Sequence, residues 1–388
     1  MALRGTQLSF GLVSFAILAG VSAQDYIPAK CKSALPYEGV KLYAKKVELP
    51  LNYNFKAADF NGDTVEQLDL AMKNAMKLTK ASHMSASIAT AESIWHATRS
   101  TDDTQKPKSM YWASVGKAFT AVIIMQLAEE GKLHLTDPVS RWIPDLPNGT
   151  ITTVDHLLLH TSGLFSANED VEFRKAPRYL TPKEHVRISV EHGAMFCPGQ
   201  NWRYSNTGYT ILGDIIEAIE GLPYHEVVNR RIAKPLKLST LRALAPQESP
   251  PDVAPLIPTD GTQPVHSPSW GYASGSVVSS AEDMLLFWHA FLSAKILTPE
   301  NTSRMFDEMY PMFGTETYYG RGVMLYKLPD QENGAAKTWL GHSGGTPGAK
   351  AVVAYSTHER AFIAVALSGD GSAEASANLL LKVISKPK

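Results

Sequence analysis

From residue 118 to residue 128 the chain runs through Phe119, Val122, Ile123, Ile124, Met125 and Leu127, with only Thr120 and Gln126 polar. A helix apolar almost all round has to sit inside a protein, and Gly131 offers a stop just beyond it. Residues 114–130 are therefore expected to form a central buried helix around which the rest of the chain packs. At its start stands Ser114-Val115-Gly116-Lys117. Three residues apart on a helix, the hydroxyl and the amine are neighbours on successive turns. A serine is a weak nucleophile until a base removes its proton. An amine held against an apolar wall can be that base, because burial disfavours the ammonium form. The helix N-terminus also turns its positive dipole end toward a developing anion. Ser385-Lys386-Pro387-Lys388 has the same spacing, but Pro387 and the chain end remove it from consideration.

The chain can surround such a helix. Its 388 residues are 44% hydrophobic and 19% charged, enough for a substantial core. A net charge of −1 and the lack of any Lys/Arg run exclude an electrostatic case for nucleic acid. Residues 1–7 carry Arg4 and no acid, residues 8–21 are apolar or small, and Val21-Ser22-Ala23 suits a small-residue cleavage site. A bilayer span needs roughly 20 apolar residues, so this stretch reads as a secretory signal, with no membrane-spanning segment expected after cleavage. Cys31 and Cys197 survive that cleavage and can pair in an oxidising compartment; two free, partly buried thiols fit the sequence nearly as well. Asn148-Gly149-Thr150 and Asn301-Thr302-Ser303 are sequons that matter only in a glycosylating host.

Residues 64–78 place Leu68, Ala71, Met72, Ala75 and Met76 on one side of a helix. Residues 83–100 suit two strands. Thr181-Pro182-Lys183-Glu184 has capping-box spacing with proline at the first helical position. Ser280 opens another helix, and Ile211, Leu212, Ile215, Ile216 and Ile219 mark one that closes at Gly221. Residues 246–268 are proline-rich and expected to be irregular. Residues 319–328, 349–356 and 361–368 are strand candidates, and 373–384 is a closing helix. Strands near both chain ends with helices between them predict one sheet built from both termini and an inserted helical lobe.

Two further segments carry chemistry. Tyr204 stands between Trp202-Arg203 and Ser205-Asn206-Thr207-Gly208. Its phenolate would be accessible beside an ammonium group, and Asn206 can hold the lysine and a substrate amide. Gly341-His342-Ser343-Gly344-Gly345 matches the G-x-S-x-G elbow. That arrangement needs an acid and then a histidine after the serine, yet no Asp or Glu lies between Ser343 and His358, and no helix follows. The alternative makes 337–345 an edge strand facing a cleft. There His342 would be an electropositive or hydrogen-bonding group, and the Gly345 N–H would serve with that of Ser114 as an oxyanion donor. His156 and His160 are four apart, as in some zinc sites, but lack the intervening Glu and any third ligand, so a structural role is expected and no metal.

In this order the segments resemble the serine β-lactamase and penicillin-binding-protein superfamily. The branch is the one holding class C β-lactamases, D-Ala-D-Ala carboxypeptidases, D-aminopeptidases and β-lactamase-like esterases. The resemblance covers roughly residues 64–385 and includes Phe119-Thr120-Ala121, Glu130-Gly131-Lys132-Leu133, Leu158-Leu159-His160-Thr161-Ser162-Gly163-Leu164 and Pro198-Gly199. It implies an α+β fold: an α/β sandwich with an antiparallel sheet flanked by helices, plus an all-helical lobe, with the site between them. It further implies that Ser114 is acylated, Lys117 assists, Tyr204 shuttles the proton, and Asn206, His342, Ser343, Gly344 and Gly345 bind substrate or oxyanion. Such an enzyme needs no cofactor and takes a small-molecule or short-peptide acyl substrate. His342-Ser343-Gly344 stands where β-lactamases usually carry Lys-Thr-Gly, which points to the peptidase and esterase branches.

The expectation is thus a signal peptide at 1–23, an N-terminal extension at 24–63 and a catalytic domain at 64–388 with its helical lobe at roughly 125–290. The protein would be a secreted or periplasmic serine hydrolase acting on small esters, D-amino-acid amides or peptides. A β-lactamase, an acyltransferase and a catalytically idle binding relative are the alternatives.

Overall fold

The computed structural model describes residues 28–385 apart from 57, 103–106, 177, 262–267, 313, 315 and 329–336. The expected signal peptide lies outside the described residues. Eleven strands are present among them: β1 (His83–Ala89), β2 (Ile94–Ser100), β3 (Met110–Tyr111), β4 (Arg242–Ala243), β5 (Val277–Ser279), β6 (Tyr310–Pro311), β7 (Thr317–Tyr319), β8 (Met324–Leu328), β9 (Lys337–Thr346), β10 (Ala349–Ser356) and β11 (Ala361–Ser368). Eight make one antiparallel sheet in the order β2-β1-β11-β10-β9-β8-β7-β6, and β3-β5-β4 make a smaller one. The large sheet is built from both chain ends, with the helical segment between β3 and β6.

Burial on both faces explains its composition. In β11, Ile363, Val365 and Leu367 pack with Leu68, Met72 and Ala75 of the Gly62–Thr79 helix and Leu380 and Leu381 of the Ala373–Ile384 helix. The alternate residues Phe362, Ala364 and Ala366 join the other core, with Phe287, Trp288 and Phe291 of the Ala281–Leu292 helix. A strand's period of two divides one sequence between two cores. Behind that second core lies the Gly116–Glu129 helix, every residue from Gly116 to Met125 buried. Its Phe119 ring stacks on Phe287 at 3.8 Å between centroids.

Local signals act as expected. Thr181 and Glu184 form a capping box on the Pro182–His192 helix, Ser280 caps Ala281–Leu292, and Gly221 ends Asn206–Glu220 with φ 66°. Two expectations need correction. Residues 319–328 are two strands, because Gly322 at φ 72° turns the chain between β7 and β8. β9 is interior in the sheet: residues 337–341 pair with β8 while β10 runs along the opposite side. From His342 onward only β10 pairs with it, so the strand has an open edge along that part alone.

The extension before residue 62 straps the body. Ala29 N–H donates to Ala194 O, Leu35 to Pro198 O, Glu38 to Gln200 O and Tyr43 to Met309 O, and Ile94 N–H donates to Ala58 O beside the start of β2. Cys31 and Cys197 are joined in a disulfide. The Asn148 side chain, half of a sequon, donates to Ala29 O and accepts from Cys31 N–H. Asn301 Nδ2 donates to Glu129. Both sequon amides thus serve as internal hydrogen bonds. Among the described residues no helix is long and apolar enough to cross a membrane.

The disulfide closes a sequence separation of 166 residues, and a long closed loop restricts the unfolded chain most. Replacing Cys31 and Cys197 by serine should cost about 2–4 kcal/mol of unfolding free energy in urea titrations. An unchanged midpoint and slope would show that the strap's hydrogen bonds suffice without it.

Candidate active site

Ser114 lies in a 3-10 turn, Ala113–Val115, directly before the Gly116–Glu129 helix. The preceding residue, Ala113, is held at φ 46°, a conformation that costs a non-glycine residue about 1–3 kcal/mol and is tolerated where the surroundings enforce it. The surroundings here are close. A Cβ on Gly275 would fall 3.1 Å from the Ala113 carbonyl, and one on Gly344 would meet Trp112 O at 2.0 Å and Ser114 N at 3.0 Å. The open edge of β9 therefore lies directly along the nucleophile turn.

One turn on, Lys117 is fully buried. Its Nζ donates to Asn206 Oδ1 at 2.6 Å and to the Ser274 carbonyl at 2.7 Å, and lies 3.4 Å from Ser114 Oγ. Burial holds its pKa well below the ordinary value. A neutral amine has two protons and one lone pair. With both protons committed to fixed acceptors, the lone pair is left for the Ser114 hydroxyl. Nζ also sits 4.8 Å from the centre of the Tyr204 ring.

Tyr204 follows a different course from the one its sequence suggests. Burial raises its pKa, offset in part by the Ser114 hydroxyl. Burial works against the phenolate that a neighbouring ammonium would favour, and it also disfavours that ammonium by lowering the Lys117 pKa. The phenol oxygen is buried and, although the Ser114 hydroxyl is close enough to influence it, makes no well-formed hydrogen bond among the described residues, so its proton can go to a group entering beside Ser114. Tyr204 is held by His160. The His160 carbonyl accepts from Arg203 N–H, its Nδ1 accepts from Ser205 N–H at 3.1 Å, and its ring lies 4.4 Å from the Tyr204 ring. The other member of that histidine pair, His156, accepts from Thr153 N–H in a capping box. Among the described residues no group of three or more His, Cys, Asp or Glu is arranged to hold a metal.

His342 is also fully buried. Its Nδ1 lies 2.7 Å from the Ser343 carbonyl, which can only accept, so Nδ1 carries the proton and Nε2 accepts from Tyr319 OH at 3.2 Å. Burial, with Lys117 nearby, pushes its pKa down to about 3. It is a neutral hydrogen-bonding group, and the electropositive role set out from sequence does not apply. Ser343 needs a second correction. Adjacent strand residues face opposite ways: His342 pairs with Val353 and Gly344 with Ala351, both of the nucleophile-side core, whereas Ser343 pairs with Val352 of the other. Its hydroxyl bonds Tyr326 at 2.7 Å and Glu374 at 2.6 Å on that far side. Gly345, paired with Lys350, continues the open edge. Ser114, Lys117, Tyr204, Asn206, His342 and Gly344 are thus gathered at one place, and the Ser343 side chain is directed away from it.

Sequence reasoning missed the Ser274 carbonyl, the phenol of Tyr319 and the clamp made by His160. The first is a backbone atom in a short Tyr272–Gly275 helix, which no residue pattern announces. The His160 ring could have been suspected only from its neighbours in the Leu158–Leu164 motif.

The depressed Lys117 pKa fixes the sign of a pH dependence. As pH rises through that value the amine becomes the free base, so labelling of Ser114 by a fluorophosphonate should climb along an acid limb. Unfolding returns the lysine toward its ordinary pKa and binds a proton, so the same group makes stability increase with pH between the two values. Lys117→Ala should slow labelling by about 10²–10⁴-fold and remove that limb. A labelling rate flat with pH in the parent protein would exclude Lys117 as the base.

Comparison with known proteins agrees with this geometry. The family model described as Beta-lactamase matches residues 97–384. The penicillin-binding protein PbpX of Bacillus subtilis is 31% identical over 221 residues, 56% of this chain and 54% of that protein, so the chain spans about half the length of this relative. A D-stereospecific amidohydrolase from Streptomyces sp. superposes with TM-score 0.68 at 27% identity, covering 80% of this chain and 97% of that one. D-amino acid amidase from Ochrobactrum anthropi shares the fold, with TM-score 0.73 at 23% identity over 84% of this chain and 100% of its own. The helices, the antiparallel sheet and the site between them are those of a chain that belongs to the beta-lactamase family.

Proposed function

We propose that the protein is a serine hydrolase that forms an acyl-enzyme at Ser114 and acts on small neutral esters and on D-amino-acid amides or peptides. The observation that carries this reading is the Lys117 amine, pinned by two acceptors, 3.4 Å from Ser114 Oγ and with its pKa held well down by burial. In the first step Ser114 Oγ bonds the acyl carbon while its proton passes to Lys117 Nζ. The resulting oxyanion is held by the backbone N–H groups of Ser114 and Gly345. As the tetrahedral carbon collapses, the bond to the leaving group breaks, and that group takes the Tyr204 phenol proton. The phenolate then regains a proton from the Lys117 ammonium. Water repeats the sequence: its proton goes to Lys117, its oxygen bonds the acyl carbon, and Ser114 Oγ leaves and is reprotonated.

Charge supports the choice of substrate. Burial lowers the pKa of both nitrogen bases beside the nucleophile, Lys117 well below its ordinary value and His342 to about 3, and so disfavours a cation at either. Lys350, further along, is bound to Asp370 and the Thr346 carbonyl. A carboxylate on the leaving-group side would find no unpaired cation among these, so β-lactams and peptides ending in D-alanine are the weaker candidates. The Streptomyces amidohydrolase supports including D-configured amides. The expected signal peptide would export the enzyme from the cytoplasm.

A nitrophenyl ester and a D-alanyl anilide should both be turned over with larger kcat/KM than nitrocefin or a peptide with a free D-alanine carboxylate. Ser114→Ala should abolish turnover and fluorophosphonate labelling together. A folded protein that never labels at Ser114 would overturn the hydrolase reading. Preference for the carboxylate-bearing substrates would overturn the charge argument.

A further inference from the structure

Beside the N-terminus of the Asn206–Glu220 helix lies a chain of hydrogen bonds whose direction can be read from one end. The backbone N–H of Asn206 can only donate, and it donates to Ser166 Oγ at 2.9 Å. Ser166 passes its own proton to Asn168 Oδ1 at 2.6 Å. Asn206 Nδ2 donates to the same oxygen at 2.8 Å. An amide whose nitrogen faces Asn168 turns its oxygen the opposite way, and Asn206 Oδ1 accepts from Lys117 Nζ at 2.6 Å.

We infer that Ser166 and Asn168 are positioning residues: they set the polarity of the Asn206 amide so that its oxygen, and not its nitrogen, meets the Lys117 amine. The role rests on the hydrolase reading above. Turned over, Asn206 would present N–H groups to an amine that is itself a donor. Lys117 would lose one of its two fixed acceptors, and with it the direction of its lone pair. An isolated Asn–Asn pair can flip as a unit with little change of shape, since the amide oxygen and nitrogen are nearly the same size. The Ser166 hydroxyl biases that symmetry, because its one proton goes to Asn168 Oδ1 while its oxygen accepts from the Asn206 backbone N–H. It is buried, tied at one end to a backbone donor that cannot reverse, and shielded there from competing water.

The test is the rate of Ser114 acylation by a fluorophosphonate and by a nitrophenyl ester. Ser166→Ala removes the polarity signal while leaving both amides in place, and should slow acylation by about tenfold to a hundredfold. Adding Asn168→Asp should restore most of the rate, because carboxylate oxygens only accept and therefore force Asn206 Nδ2 toward them. A serine that merely capped the helix would not be rescued in this way. Ser166→Ala reacting at the parent rate, or a deficit that Asn168→Asp leaves untouched, would overturn the relay. If Ser166→Ala does not fold, Asn168→Leu at a half-buried position carries the same question. It should slow acylation in the parent and add no further loss in an Asn206→Ala background, whereas additive losses would exclude action through Asn206. Failure of the unaltered protein to label at all is a different result: it removes the hydrolase reading rather than the relay.

Discussion

Removing an ammonium group from water costs several kcal/mol, and a protein meets that cost either with a counter-charge or by letting the group lose its proton. At Lys117 the balance is tilted toward the second course: burial holds its pKa well down, an amide oxygen and a backbone carbonyl are its acceptors, and no carboxylate is among its hydrogen-bond partners in the described residues. Much of the surrounding structure serves that arrangement. The Asn206–Glu220 helix delivers one acceptor at its first residue, and the Tyr272–Gly275 turn delivers the other. The turn can approach because Gly116 and Gly275 meet without side chains, a Cβ on Gly116 lying only 3.0 Å from the Gly275 Cα. The apolar run that makes the Gly116–Glu129 helix central is the same feature that lowers the pKa of its lysine.

The sheet adds its share through alternation. β9 lies inside the sheet, yet beyond Gly341 it is paired on one side only, and it runs that open edge past the nucleophile turn. Two alternate residues, His342 and Gly344, face the turn, and the residue between them is committed to Tyr326 and Glu374 behind the sheet. A hydroxyl at 343 therefore anchors the strand to the Ala373–Ile384 helix, while its neighbours shape the site. The strap plays a comparable part elsewhere: its disulfide and hydrogen bonds grip residues 194–200, the segment that leads into Tyr204.

Much of this was legible in the residues. Periodicity located the long helices, and capping signals at Thr181, Ser280 and Gly221 set their ends. The two-ended sheet followed from where the β-branched runs fall. Ser114, Lys117, Tyr204 and Asn206 were legible because their chemistry needs rare residue types in fixed order. What escaped was of a different kind. The Ser274 carbonyl and the backbone of His160 act through main-chain atoms, which carry no residue signature. The strand edge at His342 depends on where β8 stops pairing, a tertiary fact. Ser343 was misplaced because a motif was read as a block, although a strand allows only alternate members to share a face.

The ionisation states assemble into a division of labour that departs from the sequence reading at Tyr204, whose phenolate burial disfavours. Beside a charged lysine, Tyr204 would become a phenolate and the two groups would form an ion pair, leaving neither a free base nor a free acid. Burial works against both charges at once: it pulls the Lys117 pKa down and pushes that of Tyr204 up. Driving two neighbouring groups apart in this manner yields one base and one acid at the same pH. Because a single cause, exclusion of water, produces both shifts, the two pKa values are coupled. Any change that wets the cavity moves both back toward their ordinary values: Lys117 then keeps its proton and fails as the base, while Tyr204, with an ordinary phenol pKa near 10, stays protonated.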